Sequence, residues 1–287
     1  MNYRHGYHAG NFADVMKHVL LTRILAHLLK KETPFRVIDT HAGIGLYDLA
    51  GEEASKTGEW RGGIGRMEEP FTDTVEALLA PYREAVAAAR LDNPQDTAQH
   101  DAMAYPGSPL ICRSMLRRQD RAILIERHPQ DAARLIRLFA RDRRFRALEL
   151  DGWVALHAMI PPKERRGLVL IDPPYEEPGE LARLGRELVR AQRKWQTGIF
   201  AGWYPIKNPV DADQLAAGLA AEIPAEALRL ELMVDTPTDP ARLNGCGLLV
   251  INPPWRLAEE ADVLLAALAE RLARDAVAGF RCERLGR

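Results

Sequence analysis

Residues 35–45 read FRVIDTHAGIG and combine a short apolar run, an acid at its end and a turn with two glycines. The run FRVID (35–39) has the length and composition of a buried strand. Gly43 and Gly45 allow tight backbone geometry in the turn and the close approach of a ligand to the main chain. This stretch therefore predicts a strand that leads into a ligand-binding turn.

More short apolar runs follow, and a helical stretch separates each from the next. They are AILIE (122–126), ALEL (147–150), LVLI (168–171) and GIFAGWY (198–204). Such alternation predicts a parallel sheet with helices on both faces. The last two runs, ALRLELMV (227–234) and GLLVI (247–251), have only a polar loop between them. We therefore expect them to pair as an antiparallel hairpin at one edge of the sheet.

Two segments lie outside this alternation. Residues 13–31 repeat apolar side chains at helical spacing, with Asp14 as an early acid, and predict an amphipathic helix before the first strand. Residues 48–104 are rich in Ala, Glu, Asp and Gln and contain no convincing strand. We expect 48–104 to be a small helical subdomain, inserted into one domain that is formed by residues 1–47 and 105–287.

The composition excludes several classes of protein. The formal net charge is −1 at pH 7, so a nucleic acid would have to be met by a local basic patch. The three cysteines, Cys112, Cys246 and Cys282, are widely spaced, which argues for a reducing compartment and against a disulfide framework. No segment is apolar for long enough to span a bilayer, and we expect a cytoplasmic protein.

Residues 113–146 carry eleven arginines against four acids. Two interpretations stay open for this segment. The arginines could be the solvated faces of helices, or they could form a surface that contacts phosphates and makes binding depend steeply on salt.

Acidic side chains stand at the ends of three successive strands, where doubly wound sheets bind their ligands. They are Asp39, Glu126 and Asp151. Glu126 is placed to accept hydrogen bonds from two ribose hydroxyls, and Asp151 with the bare backbone of Gly152 to recognise an adenine edge. A dinucleotide pattern would have a third glycine where Asp48 stands, and an acid there repels a pyrophosphate. This disfavours a nicotinamide-dependent oxidoreductase.

The motif Asp172-Pro173-Pro174-Tyr175 directly follows the strand LVLI. An exocyclic amine of adenine is a poor nucleophile, because its lone pair is delocalised into the ring, so a catalyst must hold and aim it. Asp172 can accept one N–H of that amine, and the carbonyl of Pro173, fixed by the rigid prolines, can accept the other. Tyr175 can stack on a base that has left its helix.

A similar motif, Asn252-Pro253-Pro254-Trp255, follows the last hairpin strand. We place the chemistry at Asp172 because only that motif follows a strand beside the glycine turn. Asn252 to Trp255 are expected to form a rigid strand exit near the rim of the substrate groove. Trp203 and Tyr204, which follow the fifth strand, could pack in the core or line the base pocket.

Several motifs together resemble one family. They are YRHGYHAGNFADVMKH, DTHAGIG, YPGSPL, IERHP, DGW, RRGLVLIDPPYE and WYP. Their combination is similar to the large-subunit ribosomal RNA methyltransferase J family, bacterial enzymes that use S-adenosylmethionine to methylate one adenine N6 in 23S ribosomal RNA. The resemblance covers essentially the whole chain. It implies a class I S-adenosylmethionine-dependent methyltransferase fold, with a Rossmann-like seven-stranded sheet whose last strand is antiparallel, and a small helical insertion.

The resemblance also implies roles for individual residues. It implies a catalytic Asp172 and a substrate contact at Tyr3. The implied cofactor contacts are His18, His41, Ser108, Glu126, Asp151, Gly152 and Asp172. Beside these we expect Gly43 of the glycine turn and Lys17, which stands next to His18 near the start of the first helix, to face the cofactor.

The N-terminal arm, residues 2–11, is expected to cover the pocket as a lid, with Arg4 and His5 on phosphates beside the adenosine. Ser108 is expected to cap the helix that follows YPGSP (105–109). No metal is expected, because the spacing of the N-terminal histidines does not place three ligands on one face.

The expected partner is 23S ribosomal RNA, and the expected assembly is a monomer, since no assembly element is visible. The main alternative is the same chemistry on DNA, because a contact to a 2′-hydroxyl cannot be read from one chain. A nicotinamide-dependent oxidoreductase and a non-catalytic RNA-binding protein are the remaining alternatives.

Overall fold

The computed structural model describes residues 4–91, 103–238 and 242–286. The helices are α1 (Phe12–Leu29), α2 (Glu52–Thr57), α3 (Asp73–Leu91), α4 (Ser108–Met115), α5 (Pro129–Phe139), α6 (Gly152–Met159), α7 (Glu180–Lys194), α8 (Pro209–Glu222) and α9 (Leu257–Leu272). The strands are β1 (Arg36–Asp39), β2 (Leu46–Asp48), β3 (Ala104–Pro106), β4 (Arg121–Glu126), β5 (Phe145–Glu149), β6 (Gly167–Ile171), β7 (Ile199–Ile206), β8 (Ala227–Met233), β9 (Gly245–Ile251) and β10 (Gly279–Leu285).

Eight strands form one mixed sheet in the order β10-β8-β9-β7-β6-β1-β4-β5. The five strands from β7 to β5 in that order are parallel. β9 is antiparallel to both β7 and β8, and β10 is antiparallel to β8. This is the class I methyltransferase sheet that the sequence predicts, extended by one strand.

The predicted hairpin of β8 and β9 is present, but its expected place at the edge is wrong. β9 lies inside the sheet between β7 and β8, and β10 covers the outer side of β8. Within the described residues the sheet therefore has eight strands, where seven were predicted. The sequence of β10, GFRCERL, alternates poorly between apolar and polar residues, and most of its side chains are exposed or half-buried. It therefore lacks the pattern by which a strand is recognised.

Both faces of the sheet are buried, as expected for a parallel sheet between helices. Val37 and Leu168 belong to the hydrophobic cluster that includes side chains of α1, α3, α4, α5 and α9. The alternate residues Ile38 and Val169 belong to a second cluster, with side chains of α6, α7 and α8. The carboxyl ends of the central strands stay open between these two layers and hold the site described below.

α1 begins where Asn11 caps it, since the side-chain oxygen of Asn11 accepts hydrogen bonds from the N–H groups of Ala13 and Asp14 (3.0 Å each). The predicted amphipathic character is wrong. α1 packs against α3, α4 and α9 as well as the sheet, so it buries nearly all of its side chains, charged ones included. None of the described helices is long and apolar enough to cross a membrane.

The predicted insertion starts and ends at a small two-stranded sheet in which β2 pairs with β3. Its long helix α3 buries Leu79 and Tyr82 in the same hydrophobic cluster as α1. The segment is therefore attached to the sheet domain through a shared core. Its treatment as a subdomain of its own stays a prediction.

Candidate functional site

A cavity of about 430 Å³ lies at the carboxyl ends of β1, β4, β5 and β6. Most residues singled out from the sequence line it, namely Arg4, His5, Lys17, His18, His41, Gly43, Ser108, Glu126, Asp151, Gly152, Asp172, Pro173 and Pro174. Tyr3 lies outside the described residues. Because residues from the first 20 positions and from four strand ends meet here, the cavity is the candidate active site.

The glycine turn and Glu126 are joined by a direct hydrogen bond. The N–H of Gly43 donates to Oε2 of Glu126 (3.0 Å), and the N–H of His128 donates to Oε1 (2.7 Å). Gly43 has φ of +62°, a conformation that favours glycine. Burial raises the pKa of Glu126 above its ordinary value. These bonds hold the carboxylate at the cavity wall, where its remaining lone pairs can accept from hydroxyl groups.

Gly152 is a point of close backbone approach at the start of α6. A Cβ atom at this position would lie 2.3 Å from the carbonyl oxygen of Thr40 and 2.7 Å from Nε2 of His41. The preceding residue, Asp151, caps α6, since its Oδ1 accepts from the N–H groups of Trp153 and Val154 (3.0 Å each). The position thus admits only glycine without movement of the β1 turn.

The imidazole of His41 lies inside this wall. Burial lowers the pKa of His41 to about 4, so the ring is neutral at neutral pH. Its Nδ1 is 2.8 Å from Oγ1 of Thr40, and its ring meets Trp153 edge to face with centroids 5.6 Å apart. A neutral imidazole with one nitrogen engaged offers the cavity a single polar atom without a charge.

Ser108 does not cap α4 as predicted, because Gly107 occupies the N-cap position. The hydroxyl of Ser108 instead donates to Oδ2 of Asp39 (2.6 Å) at the end of β1. Asp39 is fully buried, and burial raises its pKa to about 6. The pair ties the start of α4 to the first strand under the cavity.

At the end of β6, Lys17 connects α1 to the predicted catalytic motif. Its Nζ lies 2.5 Å from Oδ2 of Asp172 and 2.9 Å from Oδ1 of Asp14, and Lys17 is only 5 % exposed. Burial alone would lower the pKa of Lys17, but the two carboxylates outweigh it and raise that pKa well above its ordinary value. Lys17 is therefore a permanently charged ammonium group that fixes one oxygen of Asp172.

Asp14 is the centre of this polar cluster. Its Oδ2 accepts from the N–H of Gly10 (2.9 Å) and lies 2.9 Å from Nε2 of His5. Burial alone would raise the pKa of Asp14, but His5 and Lys17 hold it well below its ordinary value. The sequence indicated only an early helical acid here, and no spacing pattern distinguishes a solvated helix acid from a buried one.

His18 is linked to the inserted segment through two tyrosines. Its Nδ1 lies 2.9 Å from the hydroxyl of Tyr105, which is 3.2 Å from the hydroxyl of Tyr82 on α3. Burial lowers the pKa of His18 to about 3, so this ring is neutral as well. Neither tyrosine was singled out from the sequence, because each is one aromatic residue among ordinary core positions.

Tyr175 does not line the cavity. Its hydroxyl donates to the carbonyl oxygen of Trp203 (2.5 Å), and the two rings meet edge to face with centroids 5.8 Å apart. Nζ of Lys17 lies 5.9 Å from the centroid of Trp203, so this ring borders the Lys17–Asp172 pair. Tyr204, in contrast, is a core residue whose hydroxyl donates to Oε1 of Glu231 (2.8 Å). Stacking of Tyr175 on a base stays a prediction.

The second proline motif lies far from the cavity, and its expected place at the groove rim is wrong. Because β9 runs antiparallel to β7, Asn252 follows the strand at the edge of the sheet opposite to Asp172. Its side-chain amide donates to the carbonyl oxygens of Gln196 (2.8 Å) and Gly198 (2.7 Å). These hydrogen bonds fix the exit of β9, and a purely structural role for Asn252 stays a prediction.

The arginines of 113–146 divide between the two interpretations. Arg117 is committed to Asp120, with Nε 2.9 Å from Oδ2 of the carboxylate. Arg127 and Arg134 line the cavity with exposed side chains. Contact of these two with phosphates stays a prediction.

Comparisons with known proteins agree with this geometry. The family profile described as "Ribosomal RNA large subunit methyltransferase D, RlmJ" matches residues 32–283. The ribosomal RNA large subunit methyltransferase J of Escherichia coli K12 is 38 % identical over 272 residues, which cover 95 % of this chain and 94 % of that protein. The protein of the same name from Haemophilus influenzae is 36 % identical over 283 residues, which cover 99 % and 98 % of the two chains.

A solved structure is similar over the same length. The crystal structure of protein LPL1258 from Legionella pneumophila superposes with a TM-score of 0.83 at 32 % identity, and the match covers 97 % of this chain and 98 % of that chain. The profile match includes the cavity residues from His41 onward, and the two sequence relatives and this structure each cover at least 95 % of the chain. The chain belongs to the ribosomal RNA large subunit methyltransferase J family.

Proposed function

We propose that the protein transfers a methyl group from S-adenosylmethionine to N6 of one adenine in 23S ribosomal RNA. The observation that carries the proposal is the pair of buried Lys17 and half-buried Asp172 (2.5 Å), in the wall of a cavity that Glu126 and Gly43 also line. The Glu126 and Gly43 side of the cavity suits a nucleoside cofactor, and the Lys17–Asp172 pair suits an exocyclic amine. The names of the sequence relatives support ribosomal RNA as the class of substrate.

The polar groups of the cavity fit the proposed cofactor. Glu126 offers carboxylate lone pairs for a ribose diol, and Gly152 lies in the cavity wall, where its backbone can meet an adenine edge. The cavity wall also carries the carboxylates of Asp151 and Asp172, which suit a ligand with a cationic sulfonium centre. When bound there, S-adenosylmethionine supplies the electrophilic methyl group.

The catalytic motif holds and aims the amine. Lys17 occupies Oδ2 of Asp172, so the other carboxylate oxygen remains for one N–H of the adenine amine. The carbonyl of Pro173 accepts the second N–H, and the two prolines limit rotation of that carbonyl. With both hydrogens engaged, the nitrogen lone pair is drawn out of conjugation with the ring and directed into the cavity. The contribution of these residues is orientation more than basicity.

The chain must also accept a proton once the amine has been alkylated. A methylated exocyclic amine that still carries its extra proton is a strong acid, so a weak base accepts that proton readily. Asp172 serves here although Lys17 neutralises part of its charge. Lys17 remains protonated throughout, because its pKa is raised well above the ordinary value by Asp14 and Asp172 against the opposing effect of burial.

The described part of the arm, residues 4–11, contributes to the cavity wall. His5 and Gly6 line the cavity, and His5 contacts Asp14. Arg4 lies at the surface between Glu53 and Gln130, with Nη2 3.1 Å from Oε1 of Gln130. From this position Arg4 can turn toward a phosphate of the bound RNA, which attracts a guanidinium group more strongly than a neutral amide does. We assign the arm a lid role on this basis.

A methylation assay tests the function. Purified protein is given S-adenosylmethionine with a labelled methyl group, together with unmodified 23S ribosomal RNA or duplex DNA of the same sequence. Labelled N6-methyladenine is expected in the RNA alone, and the variant Asp172→Ala should bind RNA but transfer no methyl group. Label in the DNA alone would overturn the proposal and favour the DNA enzyme.

A further inference from the structure

The inserted segment supports the arm along its whole described length. We call residues 52–66 the cradle, which comprises α2 and two short 3-10 turns (Glu59–Gly62 and Ile64–Arg66). The arm itself has one 3-10 turn, His5–Tyr7, and no regular structure from there to the start of α1. So short a segment has few hydrogen bonds of its own, and contacts with a neighbouring surface must fix its path.

The tip of the described arm, Arg4 to Tyr7, rests on Glu53. Nη1 of Arg4 lies 3.4 Å from Oε1 of Glu53. A Cβ atom on Gly6 would lie 2.0 Å from Oε2 of the same carboxylate, so the arm backbone passes directly over it. One turn further along α2, the hydroxyl of Thr57 donates to the carbonyl oxygen of Tyr7. α2 therefore binds both the side chains and the backbone of the tip.

The base of the arm is held more tightly. Oε1 of Glu59 lies 3.0 Å from Nδ1 of His8, and Oε2 accepts from the side-chain amide of Asn11 (3.0 Å). The N–H of Ile64 donates to the carbonyl oxygen of Gly10 (2.8 Å). A Cβ atom on Gly63 would lie 2.1 Å from that same oxygen, so the two backbones are in direct contact.

Charge is complementary across this contact. The arm side contributes Arg4 and His8, and the cradle side contributes Glu53 and Glu59. Neighbouring acids do not take part, since Glu52 on the same helix is 82 % exposed and pairs with Lys56. The two acids that face the arm are thus distinguished from the rest of an acid-rich segment by what they touch.

The position of the arm affects the carboxylate of Asp172 through two further contacts. His5, one residue from the Arg4 contact, lies on Asp14, and Asp14 holds Lys17 against Asp172. A shift of the arm would move His5 away from Asp14 and open the cavity that His5 and Gly6 line. The cradle can therefore act on the reaction without touching a substrate.

We propose that Glu53 and Glu59 are positioning residues, and that the task of residues 52–66 is to hold the N-terminal arm closed over the active site. The proposal rests on the proposed methyl transfer and assigns a part of that reaction to the inserted segment. Neither residue is expected to contact the RNA base or the cofactor. Each acts through the arm.

The test compares two double variants. Glu53→Gln with Glu59→Gln removes both charges that face the arm and keeps the shape of the side chains. Glu52→Gln with Glu69→Gln removes two exposed charges from the same region and serves as the matched control. Trypsin cleavage after Arg4, followed by mass spectrometry of the intact protein, measures how often the arm leaves the cradle.

The first pair is expected to speed cleavage after Arg4 and to lower kcat/KM, each by about tenfold, the factor that corresponds to about 1.4 kcal/mol. The urea midpoint of the first pair should match that of the control pair, which would rule out general unfolding as the cause. The single variant Gly6→Ala should act in the same direction, because it pushes the tip off Glu53 and leaves the cradle sequence intact.

Wild-type values of cleavage rate and of kcat/KM in the first pair would overturn the proposal, as would equal effects in the two pairs. Failure of the proposed function would give a different result. The wild-type protein would not methylate 23S ribosomal RNA, while faster cleavage in the first pair alone would still support the role of the cradle in holding the arm.

Discussion

Replacement of Lys17 by methionine removes the cation that the buried carboxylate of Asp14 and the half-buried carboxylate of Asp172 share. Nζ of Lys17 is 2.5 Å from Asp172 and 2.9 Å from Asp14. Methionine fills a similar volume with an unbranched apolar chain, so packing is largely retained and the charge alone is lost. Asp14 keeps the N–H of Gly10 and the contact with His5, whereas Asp172 loses the ammonium group that fixes its orientation.

The size of the effect follows from burial. Two unit charges about 4 Å apart attract each other by about 4 kcal/mol at an effective dielectric constant of about 20. The removal of one partner from a buried ion pair costs about 3–5 kcal/mol. A domain is stable by about 5–15 kcal/mol, so Lys17→Met should fold with a lowered urea midpoint. Loss of one preorganised polar group from an active site lowers kcat by about 100- to 1,000-fold.

The assay combines urea unfolding with single-turnover methyl transfer to 23S ribosomal RNA. The matched control is Lys56→Met, which removes an exposed lysine from a surface ion pair with Glu52. Such exposed pairs contribute little to stability, and this variant should retain wild-type turnover. Turnover of folded Lys17→Met within about threefold of the wild type, a change worth less than 1 kcal/mol, would refute the reasoning.

Three further variants separate the other parts of the account. Gly152→Ala places a Cβ atom 2.3 Å from the carbonyl oxygen of Thr40, and it should lower the free energy of unfolding in urea by about 1–3 kcal/mol. It should also weaken the binding of S-adenosylhomocysteine measured by calorimetry. An unchanged affinity would contradict the close approach of the ligand to this position. Burial raises the pKa of Asp39 from 3.8 to about 6, so wild-type stability falls as pH rises through that window. The melting temperature of Asp39→Asn should therefore rise relative to that of the wild type over the same range. A melting-temperature difference that does not change with pH would contradict this. Asn252→Ala loses two hydrogen bonds and should cost about 1–3 kcal/mol in stability while the folded enzyme keeps its kcat, whereas a large loss of kcat would return that motif to the active site.

The sequence predicted the parts of the site that depend on strand ends. Glu126, Asp151 and Asp172 each follow an apolar run, and parallel strands bring their carboxyl ends to one edge of the sheet. The structure accordingly places all three at one cavity. The preference for Asp172 over Asn252 followed from the same rule, and the position of Asn252 at the opposite edge agrees with it.

Contacts between distant segments could not be predicted in this way. Asp14 and Tyr105 have no distinctive spacing, and only the packing of α1 between the sheet and α3 turns them into members of a buried network. Glu53 and Glu59 stand in an acid-rich segment where nothing in the order of residues shows which acids face the arm. β10 was missed because an edge strand with mostly exposed side chains carries no apolar alternation.

The most direct test of the central claim is a map of N6-methyladenine in ribosomal RNA. The RNA is taken from the source organism after deletion of this gene, and from the deletion strain that carries either the wild-type gene or the Asp172→Ala variant. The account predicts that one N6-methyladenine in 23S RNA disappears on deletion, returns with the wild-type gene and stays absent with the variant. An unchanged 23S map together with loss of N6-methyladenine from DNA would contradict it.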